Sequence, residues 1–344
     1  MIEIDIISKG YKELFGGTDL QITPLVRSGS DRKYFRIFEG GKSIIGAYNP
    51  IPEENEAFVG FTNHFGNKKL PVPEIYGYLP DKYVYYLKDL GDTNLFTWLH
   101  SKPDISGFNS DTRALYRKII DKLILFQTEG IKGLNLSLCY PHRSFDRQSM
   151  MWDMNYFKYM LLKLLAVPFN ESNLEHDFVS LADHLLETGQ DYFLYRDFQT
   201  ANIMIVGSDP WFIDYQGGRK GAPHYDVASL LYDAKIPMSR TDRNEILDYY
   251  IGQFCSGSHE DEEKFRHYYE GFSMIRVMQA LGAFGFRGLY EQKPTFTESI
   301  VPGVNILNEI ISQAERHIAL PELFRTIRSI PDSLLFRELA ERTP

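Results

Sequence analysis

The chain holds 344 residues, 43% hydrophobic and 24% charged, the balance of a folded globular protein with room for about two domains, which excludes a disordered chain. Its 37 basic residues against 46 acidic ones leave a formal net charge of −9, which argues against a nucleic-acid partner, since a surface that faces phosphates must be basic. Only two cysteines occur, Cys139 and Cys255; with no Cys-x-x-Cys pair, zinc and dithiol redox chemistry are excluded, and a reducing compartment is expected.

The first residues, Met1-Ile-Glu-Ile-Asp5, carry acids where a signal peptide needs bases. The longest apolar stretch, Tyr159 to Phe169, is broken by Lys163 and Pro168, far short of the roughly 20 residues that span a bilayer. A cytoplasmic protein without a membrane partner is expected. Aromatic residues make up 14% and are expected to fill a Tyr/Phe core rather than a sugar-stacking surface.

In chain order, the first ninety residues read as strands with one helix. Short apolar runs at 33–38 and 43–48 flank the turn Glu39-Gly40-Gly41. Residues 53–65 place Ala57, Phe58, Phe61 and Phe65 on one helical face. Runs at 75–79 and 83–87 form a second hairpin across Pro80-Asp81. Beyond Lys88 helical patterns take over, at 111–128, 148–165 and 173–187, and again from Tyr225 to the end. The sequence therefore divides into a small β-rich lobe, 1–90, and a larger helical lobe, 91–344, an α+β architecture.

A β-rich island at 192–215 interrupts the helices, and it carries the chemistry. An apolar run ends at Arg196-Asp197, and Asn202 follows five residues after Asp197. Residues 203–206 and 211–214 read as two strands around the turn Gly207-Ser-Asp-Pro210. A four-residue turn pairs Val206 with Trp211 and Ile203 with Asp214, which brings Asn202 and Asp214 to the open end of one hairpin. An amide oxygen and a carboxylate so placed suit a hard divalent cation such as Mg2+. Asp197 is left to act on an acceptor's proton. This spacing is the phosphoryl-transfer pattern of kinases.

On these residues the chain resembles the aminoglycoside phosphotransferase and choline kinase family, which has a two-lobed protein-kinase-like fold. Within it, the resemblance is closest to bacterial cell-wall amino-sugar kinases that phosphorylate N-acetylmuramate and N-acetylglucosamine at the anomeric hydroxyl. Ser28-Gly-Ser-Asp-Arg-Lys-Tyr-Phe-Arg36, Arg196-Asp-Phe-Gln-Thr-Ala-Asn-Ile-Met204 and Ile275-Arg-Val-Met-Gln-Ala-Leu-Gly-Ala-Phe284 carry this narrower match. The resemblance implies ATP and Mg2+ as cofactors and a small hydroxylated acceptor. It implies that the backbone of Lys88, Asp89 and Leu90 meets the adenine. In Gly221-Ala-Pro-His-Tyr-Asp-Val-Ala-Ser-Leu230 it implies that Asp226 braces the catalytic loop.

Two departures stand out. Tyr195 replaces the histidine that often precedes the Arg-Asp pair. The small-lobe lysine that grips phosphates is missing from Ser43-Ile-Ile-Gly-Ala-Tyr-Asn49, and Lys42 lies before the strand, where it is solvated. Candidates to replace it are the Ser28-Gly29-Ser30 turn, through its backbone N–H groups, and Arg32 or Lys33. Glu53, Glu54 and Glu56 open the following helix, where the macrodipole alone accounts for acids. Arg219 and Arg276 are candidate acceptor contacts, and His224 reads as a loop residue. A choline-like or aminoglycoside-like acceptor is the alternative within enzymes. A nucleotide-binding adaptor without catalysis is the alternative outside them; intact Asp197, Asn202 and Asp214 oppose it.

Overall fold

The computed structural model describes residues 2–25, 32–102, 108–258 and 261–342. Its elements in chain order are α1 (Ile2–Phe15), β1 (Gln21–Pro24), β2 (Lys33–Glu39), β3 (Lys42–Tyr48), α2 (Pro52–Asn67), β4 (Ile75–Leu79), β5 (Val84–Lys88), α3 (Leu95–His100), α4 (Ser110–Leu125), α5 (Arg147–Phe157) and α6 (Glu171–Leu185). There follow β6 (Tyr192–Leu194), β7 (Ile203–Val206), β8 (Asp209–Phe212), β9 (Arg219–Gly221), α7 (His224–Leu231), α8 (Arg240–Ser258), α9 (Glu262–Phe284), α10 (Pro294–Thr297), α11 (Ile300–Ala314), α12 (Pro321–Arg328) and α13 (Leu334–Arg342). Two compact units result. The first is Met1–Lys102 with Ala114–Arg143 and Tyr195–Arg219; the second is Pro103–Arg113 with Ser144–Leu194 and Lys220–Pro344.

The first unit is built on an antiparallel sheet of order β1-β2-β3-β5-β4. Gly40 (φ 56°) and Gly41 (φ 78°) close the β2–β3 turn in left-handed conformations open to glycine. Strand alternation gives the sheet two faces. On one, Phe35, Ile37, Val84 and Tyr86 pack against Ile7 and Tyr11 of α1, and Tyr86 donates a 2.6 Å hydrogen bond to the Ile7 carbonyl. On the other, Tyr34, Ala47 and Tyr85 lie side by side, and Tyr85 stacks on Phe58 of α2. Helix α1 replaces the strand character expected there. Ile2, Ile4 and Ile6 alternate with Glu3 and Asp5, a period-two start that masks the helical spacing of the buried Ile7 and Tyr11.

The β7–β8 hairpin is tighter than its sequence suggests. Val206 pairs with Asp209 and Ile203 with Phe212, so the turn holds two residues rather than four. Gly207 (φ 66°) supplies the left-handed residue that a two-residue turn needs, and Pro210 sits within β8.

The second unit is helical around α9, which packs with α5, α7 and α11 over one apolar core. Asp177 of α6 accepts from the Leu323 N–H at 2.8 Å and so caps α12. His224 is not a loop residue: it opens α7, is buried, and stacks between Phe265 and Phe272 with centroids 3.8 and 5.0 Å away. Burial pushes its pKa down to about 3, against a smaller opposing effect of the Phe265 backbone. Unfolding restores an ordinary imidazole near 6.5, so protonation favours the unfolded chain. This contribution to stability is complete above pH 6.5 and is lost as pH falls toward 3. His224→Phe should therefore flatten the decline in urea midpoint between pH 7 and pH 4; an unchanged slope would assign the decline to other groups.

Candidate active site

The site belongs to the first unit, and an aromatic core sets its floor. Phe126 meets Phe65, Tyr195 and Phe212 edge-on, and Tyr215 lies against Phe58, Phe65 and Tyr195. Tyr195, where the family often has histidine, is fully buried, and its hydroxyl donates to the Ile213 carbonyl at 2.6 Å. It thus ties the residue before Arg196-Asp197 to the residue before Asp214. Across this core, Thr62 of α2 and Tyr215 share a 2.6 Å hydrogen bond.

Asp197, Asn202 and Asp214 come together. The Asn202 Nδ2 donates to the Asp197 carbonyl at 2.9 Å and to Asp214 Oδ2 at 3.2 Å. The Ile213 N–H donates to the Asn202 carbonyl at 3.1 Å. These bonds close the open end of the hairpin despite the shifted register. Arg196 (φ 83°) and Asp214 (φ 69°) are left-handed, a conformation that costs a residue with a side chain about 1–2 kcal/mol and that the surrounding bonds must hold.

Asp214 is encircled by donors. Besides Asn202, Gln216 Nε2 reaches its Oδ1 at 2.7 Å, and the Arg32 guanidinium lies 3.6 Å from the same oxygen. The donor set fits a hard cation: Asp214 offers a carboxylate, and Asn202 an amide oxygen to which no described residue donates. The Gln216 Oε1 beside them is buried and has no partner among the described residues.

Arg32 is the unexpected member. It is 3% exposed and contacts Glu54 Oε2 at 3.0 Å and Tyr34 Oη at 3.4 Å, with Phe58 beneath it at 6.0 Å. Burial disfavours its charge; the neighbouring phenols and Asp214 outweigh this and raise its pKa. Lys33, one residue on, is not brought to the site. Alternation turns it to the opposite face, where it pairs with Glu3 of α1. Lys42 is exposed. Ser28, Gly29 and Ser30 lie outside the described residues. Glu54, in a first turn where the helix dipole accounts for acids, is brought to Arg32 by the fold. Its only local signal is a place in the first turn of α2.

The Lys88–Leu90 segment is braced at Asp89. Arg36 grips its carboxylate with Nε at 2.6 Å and Nη2 at 3.1 Å, and Ser43 Oγ and the Gly91 N–H add bonds of 2.8 and 2.9 Å. Burial works against the carboxylate, yet these donors hold its pKa below the ordinary value. Lys88 Nζ lies over the Trp211 ring at 4.6 Å. Arg219 is buried and donates to the carbonyls of Gly217 and Tyr140. In the second unit, Asp226 is fully buried in the first turn of α7. Arg276 is 7% exposed and donates to Ser229 Oγ and Gln279 Oε1. Among the described residues no helix is long and apolar enough to cross a membrane.

A small antiparallel sheet, a larger helical region and the Asp–Asn–Asp hairpin define a class, the kinase-like phosphotransferases that act on a hydroxyl. The chain belongs to the phosphotransferase enzyme family, which residues 21–268 match. It is 24% identical over 314 residues to an N-acetylmuramate/N-acetylglucosamine kinase of Neisseria meningitidis serogroup B, covering 89% of each chain. Its fold is similar to that of a choline kinase from Cryptosporidium parvum (TM-score 0.62, 11% identity, 95% of this chain and 99% of the other). It is also similar to that of an ADP-bound aminoglycoside phosphotransferase (TM-score 0.56, 14% identity, 91% and 99%). The chain is a kinase of this family.

Tyr195→Phe removes the bond that ties the Asp197 loop to the Asp214 strand. It should cost about 1–2 kcal/mol in urea denaturation and lower kcat several-fold; full stability would show that the hydroxyl is dispensable.

Proposed function

We propose that the chain transfers the γ-phosphoryl group of ATP to the anomeric hydroxyl of an amino sugar, N-acetylmuramate or N-acetylglucosamine. The relative that is 24% identical across 89% of both chains is the observation that carries the acceptor class. The loop after Asp197 agrees with it. Phe198, Gln199, Thr200 and Ala201 are neutral, so a cationic amino alcohol or aminoglycoside has no counter-charge there.

In this reading the first ninety residues bind nucleotide and the rest carry catalysis and the acceptor. The Lys88–Leu90 backbone meets the adenine, with Asp89 held by Arg36, and Arg32 faces the phosphates. Asp197 orients the acceptor hydroxyl and takes its proton; an anomeric hydroxyl is more acidic than an ordinary alcohol, so a carboxylate of modest basicity suffices. The Asn202 side chain fixes the Asp197 carbonyl and thereby the loop that carries the base. Asp214 and Asn202 would hold Mg2+. Bound there, the metal would neutralise charge on the phosphates. Arg219 is assigned to the acceptor. Positioning and charge stabilisation supply most of the rate, since phosphoryl transfer asks little covalent chemistry of the protein.

Two measurements test this. With ATP and magnesium, N-acetylmuramate or N-acetylglucosamine should be phosphorylated faster than choline, ethanolamine or kanamycin, and the product should lose its reducing end. Faster turnover of choline would move the chain to the amino-alcohol branch, and ATP binding with no acceptor turned over would favour the adaptor. Asp197→Asn should keep ATP affinity while kcat falls about 10²–10⁴-fold; turnover within threefold of the parent enzyme would remove Asp197 from the chemistry.

A further inference from the structure

The phosphate-gripping lysine expected on the inner face of β3 is absent, and the residue there, Ala47, is fully buried between Tyr34 and Tyr85. The same face carries a cation from another place, the residue that leads into β2. We propose that the Arg32 guanidinium is the phosphate anchor of this enzyme, and that Glu54 of α2 is the positioning residue that holds it. The proposal deepens the kinase reading above and rests on its use of ATP.

The geometry distinguishes Arg32 from Lys33 and Arg36. Lys33 is committed to Glu3 on the opposite face, and Arg36 to Asp89 and Asp92. Only 2% of the Arg32 side chain is exposed, whereas its two carboxylate partners, Glu54 and Asp214, are 30% and 34% exposed. A guanidinium sealed from water must be neutralised by what it touches, and here both carboxylates that neutralise it are themselves about a third exposed.

The two contacts are unequal. Nη2 holds Glu54 at 3.0 Å, while Nη1 stands 3.6 Å from Asp214, beyond hydrogen-bond length. Nε has no acceptor among the described residues. Glu54 is itself fixed, since Asn49 Nδ2 donates to the same Oε2 at 2.9 Å, and Asn55 Nδ2 holds the Asn49 carbonyl at 2.7 Å. The guanidinium is thus clamped at one edge and loosely held at the other. It can keep Glu54 and still give N–H groups to a phosphate oxygen beside Asp214.

This fork explains why a lysine is not equivalent here. An ammonium is a point charge at the end of a flexible stem, and it lacks the separate, rigidly spaced edges that serve two acceptors at once. Arg32→Lys should therefore fail as a replacement, although lysine is the residue whose absence the arginine makes good.

Calorimetric titration of the full chain with ATP and with adenosine separates anchoring from architecture. Arg32→Lys and Arg32→Met should each raise the Kd for ATP about 10–100-fold and leave that for adenosine within twofold. Glu54→Gln should shift ATP in the same direction by a smaller factor, raising KM for ATP more than it lowers kcat. Lys42→Ala, at an exposed position, should change neither. Equal loss of ATP and adenosine would make Arg32 a structural residue and overturn the proposal, as would unchanged ATP affinity in Arg32→Lys and Arg32→Met. Should Arg32→Met not fold, Arg32→Lys and Glu54→Gln carry the same comparison. Neither titration needs an acceptor, so failure to phosphorylate an amino sugar would defeat the acceptor reading and leave this one standing.

Discussion

One carboxylate organises the first unit. Asp214 stands in a left-handed backbone conformation at the end of a short hairpin, with N–H donors of Asn202, Gln216 and Arg32 converging on it. A charge so surrounded fixes the chemistry of its neighbours. Asn202 must turn its nitrogen inward, and that nitrogen also holds the Asp197 carbonyl. Arg32 must approach from β2, and Glu54 must compensate the rest of its charge.

The aromatic core makes this convergence rigid. Phe65, Phe126, Phe212, Tyr195 and Tyr215 interlock largely edge-to-face, the arrangement that ring quadrupoles favour. Two of these rings also carry hydroxyls that reach backbone or side-chain partners, Tyr195 to Ile213 and Tyr215 to Thr62. A phenol thereby fills a place that a family histidine often takes. It supplies the same kind of brace, a buried ring with one polar tip, without a group that titrates near neutrality.

Charge is distributed differently at the two ends of the sheet face. At Asp89, Arg36, Ser43 and the Gly91 N–H satisfy the carboxylate from both sides, so its side chain is an internal fastener. At Arg32 the cation is buried and its carboxylate partners are partly exposed. The same residue types meet at both places, and burial of the partners separates the two arrangements.

The sequence by itself determined the elements whose signals are local. The β2–β3 hairpin follows from paired glycines, α2 from its apolar spacing, and the proximity of Asp197, Asn202 and Asp214 from their spacing around one hairpin, whatever its register. The tertiary structure decided what depends on pairing between distant segments. Arg32 and Lys33 are adjacent and chemically alike in sequence, but strand parity sends one to Asp214 and the other to Glu3, and parity is set by register against β3. The hairpin register at Gly207, the helix hidden in the alternating start of α1, and the buried imidazole of His224 were decided in the same way. Each turns on which neighbours a residue meets, and a linear pattern carries no measure of what approaches it from elsewhere in the chain.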